Sequence, residues 1–347
     1  MRATPKRLTR RAWLEHCVRL SALGVAGTAV PNFLRGAAAA AAQTLVSARG
    51  VHVVLLGTQG GPNFNTERAE TANAVVVDGT PYIVDLGEGA LAAMRRAGIV
   101  FRDIGRVFLT HLHDDHSAEV TSFLTHQWSD GRITPTVVAG PFGTTKLVDA
   151  ALQATEANAT IRLIDEARKT QPTDIFRGQD LAATPEPVEV YRDERVTVSS
   201  VENTHFPEES KRRMPYRSLS YRFDCPGRSI VFSGDTAYSA GLVKLARGAD
   251  VFICEAIEVA SMRHAFERMV ANGAYADNPE GVWDHIVATH TTTENAGRMA
   301  AEAGVGLLVL NHLVPGALGA VSDHAYIAGV RQHFKGKVVV GKDLMVL

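Results

Sequence analysis

Seven consecutive residues, Thr110-His111-Leu112-His113-Asp114-Asp115-His116, concentrate the chemistry of this chain. Imidazole nitrogens and carboxylate oxygens are donors that Zn²⁺, Fe²⁺ or Mn²⁺ accept. His111 and His113 alternate, so an extended backbone points both the same way. Asp115 and His116 follow in a turn and can serve a second ion close by. Two histidines alone say little about metal, but four donors at this spacing after an apolar run say much more. The run at 106–109 reads as the strand that delivers them.

The elements around this segment follow from its flanks. Short apolar runs at 51–56, 73–77 and 82–85 are punctuated by Gly57, Gly60-Gly61-Pro62 and Asp78-Gly79. They predict strands, with Asp78-Gly79 as a hairpin turn. Residues 136–139 predict another strand, and 90–97 and 144–154 predict helices. Residues 155–189 are polar, with Pro172, Pro185 and Pro187, and read as a surface excursion carrying a short helix or two. In the second half, 196–201, 218–223, 229–233, 251–255, 307–310 and 338–340 read as strands. Helices are expected at 258–272, 294–303 and 323–333. Strands followed by helices, in two similar halves, suit an α+β fold of two sheets packed face to face with helices outside.

The first 42 residues read as an address. A basic start contains Arg10-Arg11-Ala12-Trp13-Leu14, an apolar run covers about 20–30, and alanines at 37–42 offer an Ala-x-Ala cleavage site. The arginine pair resembles a twin-arginine (Tat) export signal, which carries folded proteins. The expectation is a signal peptide at 1–42, a catalytic domain at 43–347, and a mature protein in the periplasm or secreted. No membrane association is expected after cleavage. The apolar run is too short to span a bilayer. Residues 1–42 hold seven of the 36 basic residues and one of the 37 acids, so the body carries a mild negative excess. That balance argues against a protein that gains affinity by neutralising nucleic-acid phosphates. No nucleic acid is therefore expected as partner. Cys17, Cys225 and Cys254 form no disulfide framework. Cys254, in Val-Phe-Ile-Cys, reads as a small buried hydrophobe, and a Cys225–Cys254 bridge stays open.

His-x-His-x-Asp-His is the signature of the metallo-β-lactamase superfamily, which this chain resembles over about 51–347. The resemblance implies a four-layer αββα sandwich and three further ligands. His205 in Val-Glu-Asn-Thr-His, Asp235 in Phe-Ser-Gly-Asp-Thr and His312 in Leu-Asn-His-Leu stand where those are due. It implies two divalent cations, zinc first, with manganese or iron as alternatives. His111, His113, His205 and Asp235 would hold one. Asp115, His116, Asp235 and His312 would hold the other, with a bridging hydroxide as nucleophile. Asp115 could also orient the attacking water or take its proton, while Asp114 reads as solvated.

Two more segments resemble the ribonuclease Z and arylsulfatase-like branch. Asp250 to Ala256 ends in Glu255-Ala256, and His290-Thr-Thr-Thr-Glu294 resembles that branch's helix start. The resemblance makes His290 the general acid and Glu255 its partner; an imidazole held by a carboxylate suits that task. The plainer alternative for His290 is a helix-entry residue before a threonine cap. Gly140-Pro141-Phe142-Gly143-Thr144 also resembles the Gly-Pro-x-Gly-Thr turn of the same branch. The Gly/Pro-rich arm with which ribonuclease Z grips transfer RNA is absent from the pattern.

Substrate signals are thinner. Lys211-Arg212-Arg213-Met214-Pro215-Tyr216-Arg217 reads either as a basic lip for an anionic ester or as a solvated loop. Residues 258–283 read as a lid or as a packed helix. Gln59 to Phe64 occupies the place of a substrate-side loop. His16, His52, His126, His264, His285 and His324 read as structural, with His264 and His324 worth checking. The expected function is hydrolysis of a small anionic phosphate or sulfate ester. A lactone, thioester or β-lactam is the alternative on the same site, and a non-catalytic metal-binding protein is the alternative of another class. A homodimer stays open.

Overall fold

A computed structural model describes residues 49–61, 67–317 and 319–347. The expected export signal at 1–42 lies outside the described residues. Thirteen strands among them form two sheets. The first orders β1 (Val51–Gly57), β2 (Ala72–Val77), β3 (Thr80–Val84), β4 (Arg106–Phe108), β5 (Thr136–Gly140) and β6 (Phe176–Asp180) in sequence. The second comprises β7 (Val188–Arg192), β8 (Thr197–Glu202), β9 (Leu219–Cys225), β10 (Arg228–Phe232), β11 (Val251–Ile257), β12 (Leu307–Val314) and β13 (Lys337–Val340), again neighbour to neighbour.

The sheets face each other. Val53, Val75, Val84 and Phe108 of the first meet Tyr221, Phe223, Phe232, Ile253 and Val309 of the second in one buried cluster. A second cluster packs the outer face of the first sheet under helices Ala90–Arg96, Val120–Ser129 and Thr144–Ala154. A third packs the outer face of the second sheet under Ala240–Leu245, Thr293–Ala303 and Asp323–Val330. The result is the four-layer αββα sandwich. Sheets buried on both faces explain the near-continuous apolar strands, such as Val-Phe-Ile-Cys in β11.

The excursion at 155–189 holds helices Glu156–Asp165 and Pro172–Ile175, and it also supplies edge strand β6. That strand was missed because Phe176 is its one buried residue; an edge strand has little apolar periodicity to read. Helix Val259–Ala271 is joined by a second helix, Pro279–Thr289, and the pair closes its own small cluster around Met262, Phe266 and Trp283. Cys225 and Cys254 are free thiols, and Cys254 is fully buried. No helix of the described residues is long and apolar enough to cross a membrane.

Candidate metal centre

The expected ligands come from the ends of strands, where chain direction changes. After β4 an irregular stretch with a bend at Thr110 leads to His113, the extended residue that precedes the helix Asp114–Ser117, so His111 and His113 precede the helical turn and Asp115 and His116 sit inside it. His205 follows β8 and Asp235 follows β10. His312 lies inside β12 rather than after it. Glu255 pairs with Asn311 and Ala256 with Leu313, so His312 is an extra, unpaired residue with φ 41°. A bulge of this kind re-aims a side chain, here towards the other ligands.

These residues converge from positions two hundred apart. His111 Nε2 lies 3.0 Å from His113 Nδ1 and 3.8 Å from Asp235 Oδ2, and His205 Nε2 lies 3.3 Å from His113 Nδ1. On the other side, Asp235 Oδ1 lies 3.1 Å from both His116 Nε2 and His312 Nε2. Asp115 Oδ2 is 3.2 Å from His312 Nε2 and 3.5 Å from His116 Nε2. The two oxygens of Asp235 thus face two different donor sets.

The donor sets fit divalent cations. Four ligands at about 2.0–2.2 Å around one tetrahedral ion stand roughly 3.3–3.6 Å apart, close to these separations. His116 Nε2 and Asp235 Oδ1 are buried and near each other, yet neither makes a hydrogen bond. An orphaned imidazole nitrogen and carboxylate oxygen in a protein interior call for a cation.

The rings are oriented from behind. His116 Nδ1 lies 2.9 Å from Asp85 Oδ2, which leaves Nε2 for metal. Asp85 also accepts from Thr110 N–H at 2.7 Å and from Thr110 Oγ1 at 2.9 Å. His205 Nδ1 lies 3.2 Å from the Thr289 carbonyl, which likewise leaves Nε2. Gly61 N–H donates to Asp115 Oδ2 at 2.8 Å, and a Cβ at Gly61 would stand 2.5 Å from Asp115 Cγ. The loop after β1 therefore reaches the centre because its glycines let backbone touch ligand.

Electrostatics sort the same groups. Burial, with the cationic tendency of His116, pushes His111 well below the ordinary histidine range, and burial does the same to His205. Burial thus favours the neutral ring at both, the form that binds metal, whereas at His116 and His312 the surrounding carboxylates outweigh burial and raise both well above the ordinary range. Burial alone would raise the Asp235 carboxyl, but His116 and His312 outweigh it and hold it well below the usual range.

Beside this centre, His290 Nδ1 stands 2.8 Å from Glu255 Oε2 and 3.7 Å from Asp235 Oδ2. Glu255 Oε1 accepts from Thr236 N–H at 2.5 Å, which fixes the carboxylate. Burial disfavours the His290 cation, but the Glu255 carboxylate outweighs that and raises its pKa.

Among the described residues, sequence reasoning missed two contributors. Asp85 carries a positive φ of 65° directly after β3, a signal that only coordinates reveal. His285 extends from helix Pro279–Thr289, with its ring 5.5 Å from that of His205 and 5.8 Å from that of His290. It stands at the exposed lip of the site, where partial burial and the neighbouring His290 push its pKa down to about 4. His264 and His324, the two singled out for checking, are exposed, and no metal-capable cluster of the described residues includes them. Asp114 is exposed as expected.

Residues 73–313 match the Beta-lactamase superfamily domain. The chain is 30% identical over 302 residues to "Ribonuclease Z" of Mycolicibacterium gilvum (strain PYR-GCK), covering 85% of this chain and 94% of that protein. It is 29% identical over 297 residues to "Ribonuclease Z" of Mycobacterium avium (strain 104), covering 85% and 96%. The fold matches the crystal structure of human tRNase Z, short form, with TM-score 0.59 and 20% identity over 85% of this chain and 98% of that one.

These similarities correct the expectation that nucleic acid plays no part: proteins matched over nearly their whole length bear the name of a ribonuclease. The expectation rested on net charge, and a whole-chain average is silent about local basic patches such as 211–217. With its matched domain, its sandwich and its clustered histidines and aspartates, the chain belongs to the metallo-β-lactamase superfamily, as a metal-dependent hydrolase of the ribonuclease Z-like kind.

Proposed function

We propose that the protein is an exported two-metal phosphodiesterase whose substrates include nucleic-acid phosphodiesters. The observation that carries this reading is the His290–Glu255 pair at 2.8 Å beside Asp235. Esters with poor leaving groups, such as a ribose hydroxyl, need a proton at the departing oxygen; activated lactams and thioesters need it less.

His111, His113, His205 and Asp235 would hold one cation, and Asp115, His116, Asp235 and His312 the other. When bound, such a pair acidifies water and neutralises charge on a phosphoryl oxygen. Asp115, held by Gly61 N–H, can accept the proton of an attacking water. As the water oxygen bonds to phosphorus, the P–O bond to the leaving group breaks. His290, its Nδ1 tied to Glu255, gives that oxygen the proton from Nε2 and is left neutral. Products are a phosphomonoester and an alcohol.

Zinc is the first choice for an N/O donor set of this geometry, with manganese or iron as alternatives. Arg10-Arg11 and the alanines to Ala42 support export of a protein already folded around its metals. The family names of the relatives support phosphodiesters over sulfate esters, lactones and β-lactams.

The test is a substrate panel on metal-replete protein: an RNA oligonucleotide, bis(p-nitrophenyl) phosphate, an aryl phosphomonoester, an aryl sulfate, a lactone and a β-lactam, with metal analysis of the same sample. Phosphodiester turnover that chelation abolishes and zinc or manganese restores is expected. Turnover confined to the sulfate, the lactone or the lactam would overturn the reading. Fractionation of cells carrying Arg10→Lys/Arg11→Lys tests export, which that change should block.

A further inference from the structure

The geometry points to a nucleobase-stacking corner beside the metal centre, formed by Phe142 and Tyr216 and flanked by Arg212 and Arg213, that seats a base of the bound strand. It rests on the phosphodiesterase reading for its ligand and adds the part of the substrate that is held.

Phe142 is 52% exposed and Tyr216 41%, and they are the two aromatics among the exposed large hydrophobics of the described residues. Their ring centroids are 6.1 Å apart, with planes at 50°, a tilted pair rather than a closed stack. An aromatic ring left in water forgoes burial energy that the same ring gains elsewhere in the molecule.

The corner is built rather than loose. Phe142 sits in the turn after β5, where Gly143, at φ 102°, lets the chain pass between two side chains. A Cβ at Gly143 would stand 3.0 Å from Leu112 and 3.0 Å from the Tyr216 ring. Asp180 of β6 pins that turn by accepting from Gly143 N–H at 3.2 Å and Thr145 N–H at 2.8 Å. Tyr216 is held by its neighbour: Arg217 donates to the carbonyls of Met214 and Tyr216 at 2.9 and 2.8 Å. Beneath them Glu202 takes Lys211 at 2.8 Å and Arg217 at 3.5 Å.

Position and charge name the occupant. Leu112, which touches this turn, lies between ligands His111 and His113. The helix Glu208–Arg213 starts three residues after ligand His205. The corner therefore borders the donor set of the first cation. Lys211 and Arg217 are committed to Glu202, but Arg212 and Arg213 are exposed and make no ion pair or hydrogen bond among the described residues. Exposed aromatic rings, with two exposed arginines three and four residues before Tyr216 in the chain, match a chain of bases on phosphates. Stacking accepts any base, since each has a π-face, and an arginine can add a cation–π contact.

The experiment measures binding of a short fluorescein-labelled phosphorothioate RNA, and of the same strand with abasic riboses, to metal-loaded protein by anisotropy. Phe142→Ala/Tyr216→Ala should weaken binding of the RNA roughly five- to a hundred-fold and hardly change binding of the abasic strand. Tyr216→Trp should keep the RNA affinity. Arg212→Ala/Arg213→Ala should weaken both strands alike and flatten the salt dependence. Equal loss for both strands in the aromatic double variant, or no loss, overturns the corner. Wild-type protein that binds base better than abasic strand through these rings, yet cleaves neither RNA nor bis(p-nitrophenyl) phosphate, leaves the corner standing and sinks the phosphodiesterase reading instead.

Discussion

His290 Nδ1 and Glu255 Oε2 stand 2.8 Å apart although 35 residues separate them, one at the end of a helix and one near the end of β11. The pair stands 3.7 Å from Asp235, where the proposed role of His290 is to carry the proton to the leaving oxygen. His290→Ala should therefore lower phosphodiester turnover by about a hundred- to ten-thousand-fold, with metal content unchanged by elemental analysis. Glu255→Gln should cost less and shift the basic limb of the rate profile to lower pH, because the carboxylate that favours the His290 cation is gone. Turnover within twofold of wild type for His290→Ala would remove it from the chemistry.

Gly61 touches the centre through its backbone, and a methyl group there would collide with the Asp115 carboxylate. Gly61→Ala should weaken binding of the second cation by about ten- to a hundred-fold, the usual scale for disturbing groups that orient a ligand. Chelator competition reads this directly. An unchanged affinity would mean that the loop yields without moving Asp115.

His285 overhangs the site from the helix Pro279–Thr289 and is neutral at physiological pH, its pKa pushed down to about 4 by partial burial. A neutral ring there can donate one hydrogen bond to bound substrate. His285→Ala should raise KM about fivefold, the value of one such bond, and leave kcat nearly unchanged. Steady-state kinetics on an RNA oligonucleotide would show it; a loss in kcat alone would speak for a part in the chemical step.

Asp193 ties two strands together through Tyr82 of β3 and Tyr191 of β7. Its carboxylate accepts from Tyr82 at 2.6 Å, from Tyr191 at 2.8 Å, and from the N–H groups of Arg195 and Val196. Burial alone would raise its pKa, but these donors outweigh burial and lower it. A depressed folded-state pKa stabilises the fold above the unfolded value near 3.9, and that stability is lost as pH falls through the folded value. Asp193→Asn should cost about 1–2 kcal/mol at pH 7. The gap to wild type should begin to narrow below about pH 4 and vanish only once pH is below the depressed folded value. Urea unfolding followed from pH 7 down through the acid range would test this; a gap that stays constant with falling pH would assign the loss to packing.

Much of the centre was legible because its signals are local. His111, His113, Asp115 and His116 share one segment after an apolar run, and the strands that carry His205, Asp235 and Glu255 announce themselves by buried β-branched residues. The hairpin at Asp78-Gly79 and the helix Thr144–Ala154 were readable for the same reason. What the coordinates alone decided is non-local. Asp85 behind His116, Gly61 against Asp115, the Thr289 carbonyl behind His205 and the Phe142–Tyr216 corner join residues 31 to 84 positions apart. Even His312 reaches Asp115 and Asp235 by a bulge in β12, a matter of register against β11. Residue types and short-range periodicity determine which donors a chain owns and which element carries each. Their directions depend on strand pairing and on the packing of two sheets, energies shared by many residues and written in no single stretch of sequence.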